Sequence, residues 1–274
     1  MATLTIKDNE GIDIDQGLIG YWPFENSADD QSGTGNNGQW IGTPSYDVGY
    51  QGLALSTDGT SNGSYVLVPH SSSLDGMSEL SIVFWARKHT GAPRNRVIYK
   101  HLSYALEVQP DRFNGMLYND NGEQGSFYVI QNSIDDTLWH HYGVTYDGTA
   151  IIVYIDGVAV DTVGFSGNIA VNPTRDLYLG KDPWGNSFNG LLDEVRIYNR
   201  ALSAEEIELL STGNVSILTF SKQDFSKHLI SKSASTSVIY TFNGELVSIT
   251  GNLQTGIYLL RSSDGSLKKI LLIK

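Results

Sequence analysis

Five oxygen-bearing side chains, Asp29, Asp30, Ser32, Asn36 and Asn37, fall within nine residues of the loop from Ser27 to Gly38. A hard cation such as calcium takes roughly six to eight oxygens from carboxylates, amides and backbone carbonyls, and a glycine-rich loop lets several carbonyls turn toward one point. The same composition also builds an Asx-rich turn closed by its own side chain to backbone hydrogen bonds, and both readings stay open. An ion held here would be structural, tying the ends of the fold together.

Paired carboxylates for sugar chemistry are harder to find. Retaining hydrolysis of a glycosidic bond needs two carboxyl groups about 5 to 5.5 Å apart, commonly set on one strand face by a Glu-x-Asp-x-x-Glu stretch. The chain has no such stretch, and its nearest pair, Asp193 and Glu194, should alternate to opposite faces of a strand. Proton abstraction beside a uronate would use a Tyr and a His with Arg and Gln on neighbouring strands. Tyr is plentiful, and His140 and His141 are adjacent, but no Arg-x-Glu-x-Arg or Gln-Ile-His run accompanies them. One of this His pair is expected in a hydrogen-bonded structural role and the other at an exposed edge. His70 and His101 have no partner at metal-site spacing and read as surface residues. No cofactor motif occurs, so a glycoside hydrolase or polysaccharide lyase with an unfamiliar site is an alternative rather than the first expectation.

Binding a glycan asks for less: an aromatic face for the CH surface of the sugar, with Asn, Asp or Arg beside it for the hydroxyls. Trp184 is the first candidate, in Asp182-Pro183-Trp184-Gly185-Asn186, because a bulky ring on a turn is more readily exposed than packed; packing stays open as its alternative. Asn186 would flank it. Tyr118 with Asn119 and Asp120, Trp40, and Tyr99 near Arg94 and Arg96 are secondary candidates. Trp22, Trp85 and Trp139 each lie within a strand and are expected in the core.

The elements that must position these residues are strands. In WHHYGVTYDGTAIIVYIDGVAVDTV, from Trp139 to Val163, Tyr142, Val144 and Tyr146 alternate with His141, Gly143 and Thr145. Asp147-Gly148 and Asp156-Gly157 then turn the chain twice, nine residues apart, and Asp-Gly supplies the positive φ of tight hairpin turns. That is an antiparallel meander with the spacing of a sandwich or barrel. LSIVFWARK, from Leu80 to Lys88, is apolar on both faces and reads as a central strand between two layers. Arg94 to Val108 and Arg112 to Asn119 read as further strands joined at Pro110 and Asp111. Ser203 to Leu210 is the one helix, with Ser203 and Glu206 completing a capping box and Gly213 past its end.

Three segments in order carry a resemblance: Gly17 to Gly38 (GLIGYWPFENSADDQSGTGNNG), Trp139 to Val163, and Leu177 to Ile207 (LYLGKDPWGNSFNGLLDEVRIYNRALSAEEI). Together they resemble the LamG-like jelly-roll family, also called concanavalin A-like lectins and glucanases. The resemblance implies an all-β chain built on a concanavalin A-like antiparallel β-sandwich. It also implies a calcium site in which Asp30, Ser32 and Asn36 match the family's loop pattern and the closing strand supplies one carboxylate, Asp193 being favoured over its neighbour Glu194. After Gly213 the composition shifts to Ser, Thr and Lys. Gly256 to Leu260 and Lys268 to Ile270 resemble the C-terminal sorting domain of the type IX secretion system of Bacteroidota, while residues 215–237 depart from its usual Tyr-Pro-Asn-Pro opening. The expected organisation is an N-terminal extension over 1–16, a jelly-roll domain over 17–212 and a small C-terminal β-sandwich over 213–274.

Charge follows the same division. Residues 1–210 hold 11 Lys and Arg against 27 Asp and Glu, net −16, whereas residues 211–274 hold 7 against 3, net +4. An acidic first domain repels nucleic acid and anionic lipid, so neither is an expected partner. Zero cysteine removes disulfides and thiolate metal sites. No run has the length of a membrane-spanning helix, and the opening MATLTIKDNE lacks the basic and apolar regions of a signal peptide. The composite expectation is a non-catalytic, calcium-stabilised carbohydrate-binding or adhesion module, secreted or on a bacterial cell surface. Its expected partner is a glycan or polysaccharide, with binding of a surface protein as the alternative.

Overall fold

In the computed structural model, residues 12–89, 96–131, 134 and 137–212 are described with their side chains; in the terminal segments only the backbone of certain strands is described. The chain divides into two compact units, Asp13–Ile207, and Met1–Ile12 with Glu208–Lys274.

The first unit is two antiparallel sheets. One runs, strand by strand, Val158–Gly164, Ala150–Ile155, Trp139–Tyr146, Leu80–Lys88, Asn189–Tyr198, Leu53–Asp58 and Tyr46–Val48, with Leu18–Trp22 also paired to Asn189–Tyr198. The other runs Gln124–Ile130, Arg112–Tyr118, Tyr104–Gln109, Arg96–Lys100, Leu177–Leu179, Tyr65–Val68 and Gln39–Ile41. The period-two alternation of these strands turns one face of each sheet inward. Phe84 and Tyr142 from the first sheet meet Phe113 from the second, with ring centroids 6.1 and 5.0 Å apart, in one continuous core that also takes in Trp22 and Phe24. Leu80–Lys88 is central as expected, paired on both edges and buried along its length except at Arg87.

The meander forms as read. Asp156 and Gly157 both take positive φ, 49° and 79°, the pattern of a type I′ hairpin turn. The helix spans Ala204–Thr212, and the Ser203 and Glu206 capping box closes at 3.2 and 2.8 Å. One strand expectation changes. Arg94 to Val108 is not one strand but two, Arg96–Lys100 and Tyr104–Gln109, because Leu102 adopts a left-handed φ of 54° and the Ser103 amide donates to the Lys100 carbonyl. Arg94 and Gly213 lie outside the described residues.

In the second unit, Thr5–Lys7, Ser216–Thr219, Gly256–Arg261 and Leu267–Leu272 form a four-stranded sheet in which Ser216–Thr219 runs parallel to Gly256–Arg261. Gly256–Arg261 and Leu267–Leu272, which carry the sorting-like motifs, pair antiparallel. His228–Ser233, Thr236–Thr241 and Leu246–Val247 form a separate three-stranded sheet. Among the described residues no helix is long and apolar enough to cross a membrane.

Candidate functional site

The outward face of the Gln124–Ile130 to Gln39–Ile41 sheet gathers the aromatic candidates. Val66, Leu179 and Ile98 point into the core, so their neighbours Tyr65, Tyr178 and Tyr99 point out. Strand register places Leu67, Tyr178, Tyr99, Ala105, Met116 and Ser126 in one row across six strands. Tyr65 stacks on Tyr178 at 5.7 Å and Tyr178 meets Tyr99 at 6.3 Å. Trp184 rises at the end of this series. It is 64% exposed and stands edge-on to Tyr99 at 5.4 Å and to His101 at 5.3 Å. The Tyr99 hydroxyl bonds His101 Nδ1 at 2.5 Å. Burial raises the phenol's pKa, and burial together with Arg175 lowers that of the imidazole, so a neutral pair sits beneath the exposed indole at neutral pH.

The turn that presents Trp184 is built on a fully buried carboxylate. Asp182 accepts the Trp184 and Asn186 amides, each at 2.9 Å, and the Asn186 side-chain amide at 2.6 Å. Asn186 therefore braces the turn. Beside it Arg96 lies 5.1 Å from the Tyr99 ring centroid, pairs with Glu107 at 2.7 Å and approaches Asp182 at 3.7 Å. Glu107 also accepts from Gln109 and Asn114. Tyr118 shares the face, half-buried, with its hydroxyl 3.1 Å from Met116 Sδ.

Two binding candidates go elsewhere. Trp40 pairs with Val66 in register, so it faces inward, packs against the core and donates from Nε1 to the Tyr46 hydroxyl at 2.9 Å. Asn119 is buried; its Oδ1 accepts the Asn121 and Glu123 amides and its Nδ2 donates to Glu123 and the Ser166 carbonyl, so it closes a hairpin instead of meeting solvent.

The four residues matched to a calcium site do not converge. Asp30 Oδ1 accepts the Tyr21 and Ser32 amides, and Oδ2 accepts the Asn36 amide and the Thr34 hydroxyl, all within 2.9 Å. Burial pushes this carboxyl up, but the donors outweigh it and its pKa falls below the ordinary value. Ser32 Oγ is 2.9 Å from the Thr34 hydroxyl, and Asn36 Nδ2 donates to the Ile19 carbonyl at 2.6 Å. Asp193 shares none of these partners. Its oxygens accept the Gln51 amide at 3.0 Å and the Glu194 amide at 2.8 Å. Each Asp30 oxygen holds two donors and has no lone pair left for a cation, so Asp30 as arranged does not fit a calcium ligand.

Asp193 and Glu194 also depart from simple alternation. A bulge between Asp193 and Arg196, with Glu194 at φ 53°, turns the Glu194 carboxylate to the Tyr21 hydroxyl at 3.0 Å and to Arg196 at 2.6 Å. His140 and His141 are both buried, and Asp156 ties them, accepting the His141 amide at 3.0 Å while its other oxygen lies 2.8 Å from His140 Nδ1. No exposed edge position remains for either. His70 is not isolated; it lies 3.3 Å from Asp75, which also pairs with the buried Lys100 at 3.0 Å.

Comparison with known proteins fits this geometry. The profile of the concanavalin A-like lectin/glucanases superfamily matches residues 58–208, more than half of the chain. The chain belongs to that superfamily. Among solved structures, domain 4 of AbnA, a GH43 extracellular arabinanase from Geobacillus stearothermophilus in complex with arabinotriose, is 20% identical with a TM-score of 0.58, over 71% of this chain and 98% of that one. The binding domain of Paraclostridial Mosquitocidal Protein 1 is 16% identical with a TM-score of 0.59, over 73% of this chain and 53% of that one. The binding domain of Botulinum Neurotoxin DC in complex with SialylT is 14% identical with a TM-score of 0.57, over 73% and 52%. The chain thus spans about half the length of these two toxin domains, and likeness at such identities is one of fold.

For a concanavalin A-like domain, the outward Tyr residues were the missed signal. Tyr65 in YVLV and Tyr178 in LYL each break an apolar run at alternate positions, but alternation alone does not say which face meets water. His101 lies just past the end of Arg96–Lys100 and still meets Tyr99 and Trp184, a contact that the sequence spacing alone did not single out.

Proposed function

We propose that the Asp13–Ile207 unit is a non-catalytic carbohydrate-binding module that takes its ligand on the Trp184 face, and that the chain belongs to an exported bacterial surface protein. The observation that carries this reading is Trp184 itself: a large apolar ring, 64% exposed, on a turn that a buried Asp182 holds rigid. Exposing such a ring costs solvation free energy that a stacked sugar recovers, and a braced turn lowers the ordering cost of binding. Glu107 and Asp182, the carboxylates paired with Arg96 beneath this ring, are committed as acceptors, Glu107 to Arg96, Gln109 and Asn114, and Asp182 to its turn. Neither is free to serve as acid or nucleophile in glycosidic cleavage. The arabinotriose complex of the similar arabinanase domain supports a glycan ligand in general terms. The sorting-like motifs at Gly256 to Leu260 and Lys268 to Ile270 support export through a type IX route.

The test is titration of the full chain against a panel of soluble oligosaccharides, by calorimetry, for wild type and Trp184→Ala. Binding weakened at least about tenfold, about 1.4 kcal/mol, in the variant is the expected result. Its folding stability should stay within about 0.5 kcal/mol, because the ring is exposed. Silence across the panel from a folded protein would sink the glycan reading and favour a protein partner.

A further inference from the structure

We infer that the ligand of this face is a neutral, linear glycan bound along its interior, laid across the strands from Trp184 to the edge strand Gln124–Ile130; the inference rests on the glycan reading above. Three aromatic stations share the face. Trp184 with Tyr99 and His101 forms the first, and Tyr118 beside Met116 the second. Tyr128, 56% exposed on the edge strand with the Arg112 guanidinium 5.1 Å from its ring centroid, forms the third. Register puts Tyr128 opposite Asn114, and Asn114 opposite Glu107, so the edge station continues the same outward surface. Three strand spacings separate the Tyr99 strand from the Tyr128 strand, on the order of 15 Å, which is room for several sugar units. Gln124, Ser126, Tyr128 and Ile130 are all exposed at the far end, so nothing in the described surface stops a chain from running past that edge.

Charge decides the ligand class. Among the described residues, Arg96, Arg112 and Lys181 on this face already have anionic neighbours or hydrogen-bond acceptors. Arg96 is set between Glu107 and Asp182 and Arg112 is paired with Asp111 at 2.8 Å, while Arg175 is exposed near Tyr178, where the charge of Asp176 opposes its own. Lys181 is nine-tenths buried, 4.9 Å from the Tyr65 ring centroid, and donates to the Ser61 carbonyl at 2.5 Å. Recognition of a uronate or sialate carboxylate would call for an arginine fork left open for two parallel bonds. The net charge of −16 over residues 1–210 adds long-range repulsion of any polyanion. Hydroxyl recognition beside stacked rings has no such penalty.

The test uses the full chain against arabino-, xylo-, cello- and manno-oligosaccharides of two to six units, with oligogalacturonides and sialyllactose as acidic probes, at low and high salt. Affinity for one neutral series that rises at least tenfold from dimer to hexamer, indifferent to salt and weakened severalfold by Tyr128→Ala, is the expected result. Affinity that saturates at the dimer, or a Tyr128→Ala variant that binds the hexamer like wild type, overturns the extended site. Trp184-dependent binding confined to the acidic probes and weakened by salt overturns the neutral class while leaving the glycan function standing. No binding of either kind, with the fold intact, removes both.

Discussion

Asp182 and Trp184 stand two residues apart at opposite extremes of exposure: the carboxylate is fully buried, the indole is 64% exposed, and the amide of the second donates to Oδ1 of the first at 2.9 Å. The exposed ring is thus displayed by a buried polar group that is itself out of reach of solvent. Asp182→Ala leaves the Trp184 and Asn186 amides and the Asn186 side chain without their acceptor. A cost of about 2 to 3 kcal/mol in folding stability is expected, from buried donors left unpaired. Glycan affinity should fall as well, through loss of the braced turn, whereas Trp184→Ala should lower affinity alone. Denaturant unfolding beside calorimetric titration of the two variants separates these effects. Unchanged stability in Asp182→Ala would show that the turn is held by other means.

The fold was legible because its signals are local and mutually consistent. Asp156-Gly157 needs positive φ and takes it, the Ser203 and Glu206 pair caps a helix, and Leu80–Lys88 is apolar on both faces because it is buried on both. The candidate face was legible at Trp184, where a bulky ring in a Pro-Trp-Gly-Asn turn has few places to hide, and in part at Tyr99 and Tyr118. The rest of the face is long-range. Tyr65, Tyr178 and Tyr99 come together only through pairing of Leu177–Leu179 with two strands remote in sequence. Trp40 and Asn119 were misplaced because half of a strand's positions face inward and a hairpin's Asn can spend all its bonds on its own turn.

The Asp30 loop yields a second prediction. Both carboxylate oxygens are filled by protein donors, three of them backbone amides. Chelator should therefore leave the thermal midpoint of the wild type where it is, while Asp30→Ala should cost about 3 kcal/mol or more through unpaired donors. The lowered pKa of Asp30 makes its contribution full above the unfolded carboxyl value of about 3.9 and lost as pH falls through the lower folded value. Scanning calorimetry with calcium and with chelator is the check. A midpoint raised by calcium in wild type, and not in Asp30→Asn, would restore an ion to this loop.

The third prediction concerns two buried groups that flank Trp85 in register, His141 on one neighbouring strand and Asp193 on the other. Burial pulls the His141 imidazole from 6.5 down to about 3, opposed by Asp156, and burial pushes the Asp193 carboxyl from 3.8 up to about 7, opposed by the Gln51 amide. The signs are opposite in their effect on stability. Between about pH 4 and 6.5 the unfolded chain protonates His141 where the native chain does not, so this group makes stability rise with pH. Over the same window the native chain keeps a proton on Asp193 that the unfolded chain has lost, so that group makes stability fall with pH. Each slope is about 1.4 kcal/mol per pH unit, and in wild type the two cancel. Asp193→Asn should unmask the first slope, with stability lost relative to wild type as pH falls from 6.5. His141→Gln should unmask the second, with stability lost relative to wild type as pH rises from 4 to 7. Urea unfolding of the three proteins at unit pH steps measures both slopes. Parallel pH profiles for all three would mean that neither group carries its shift into the folding equilibrium.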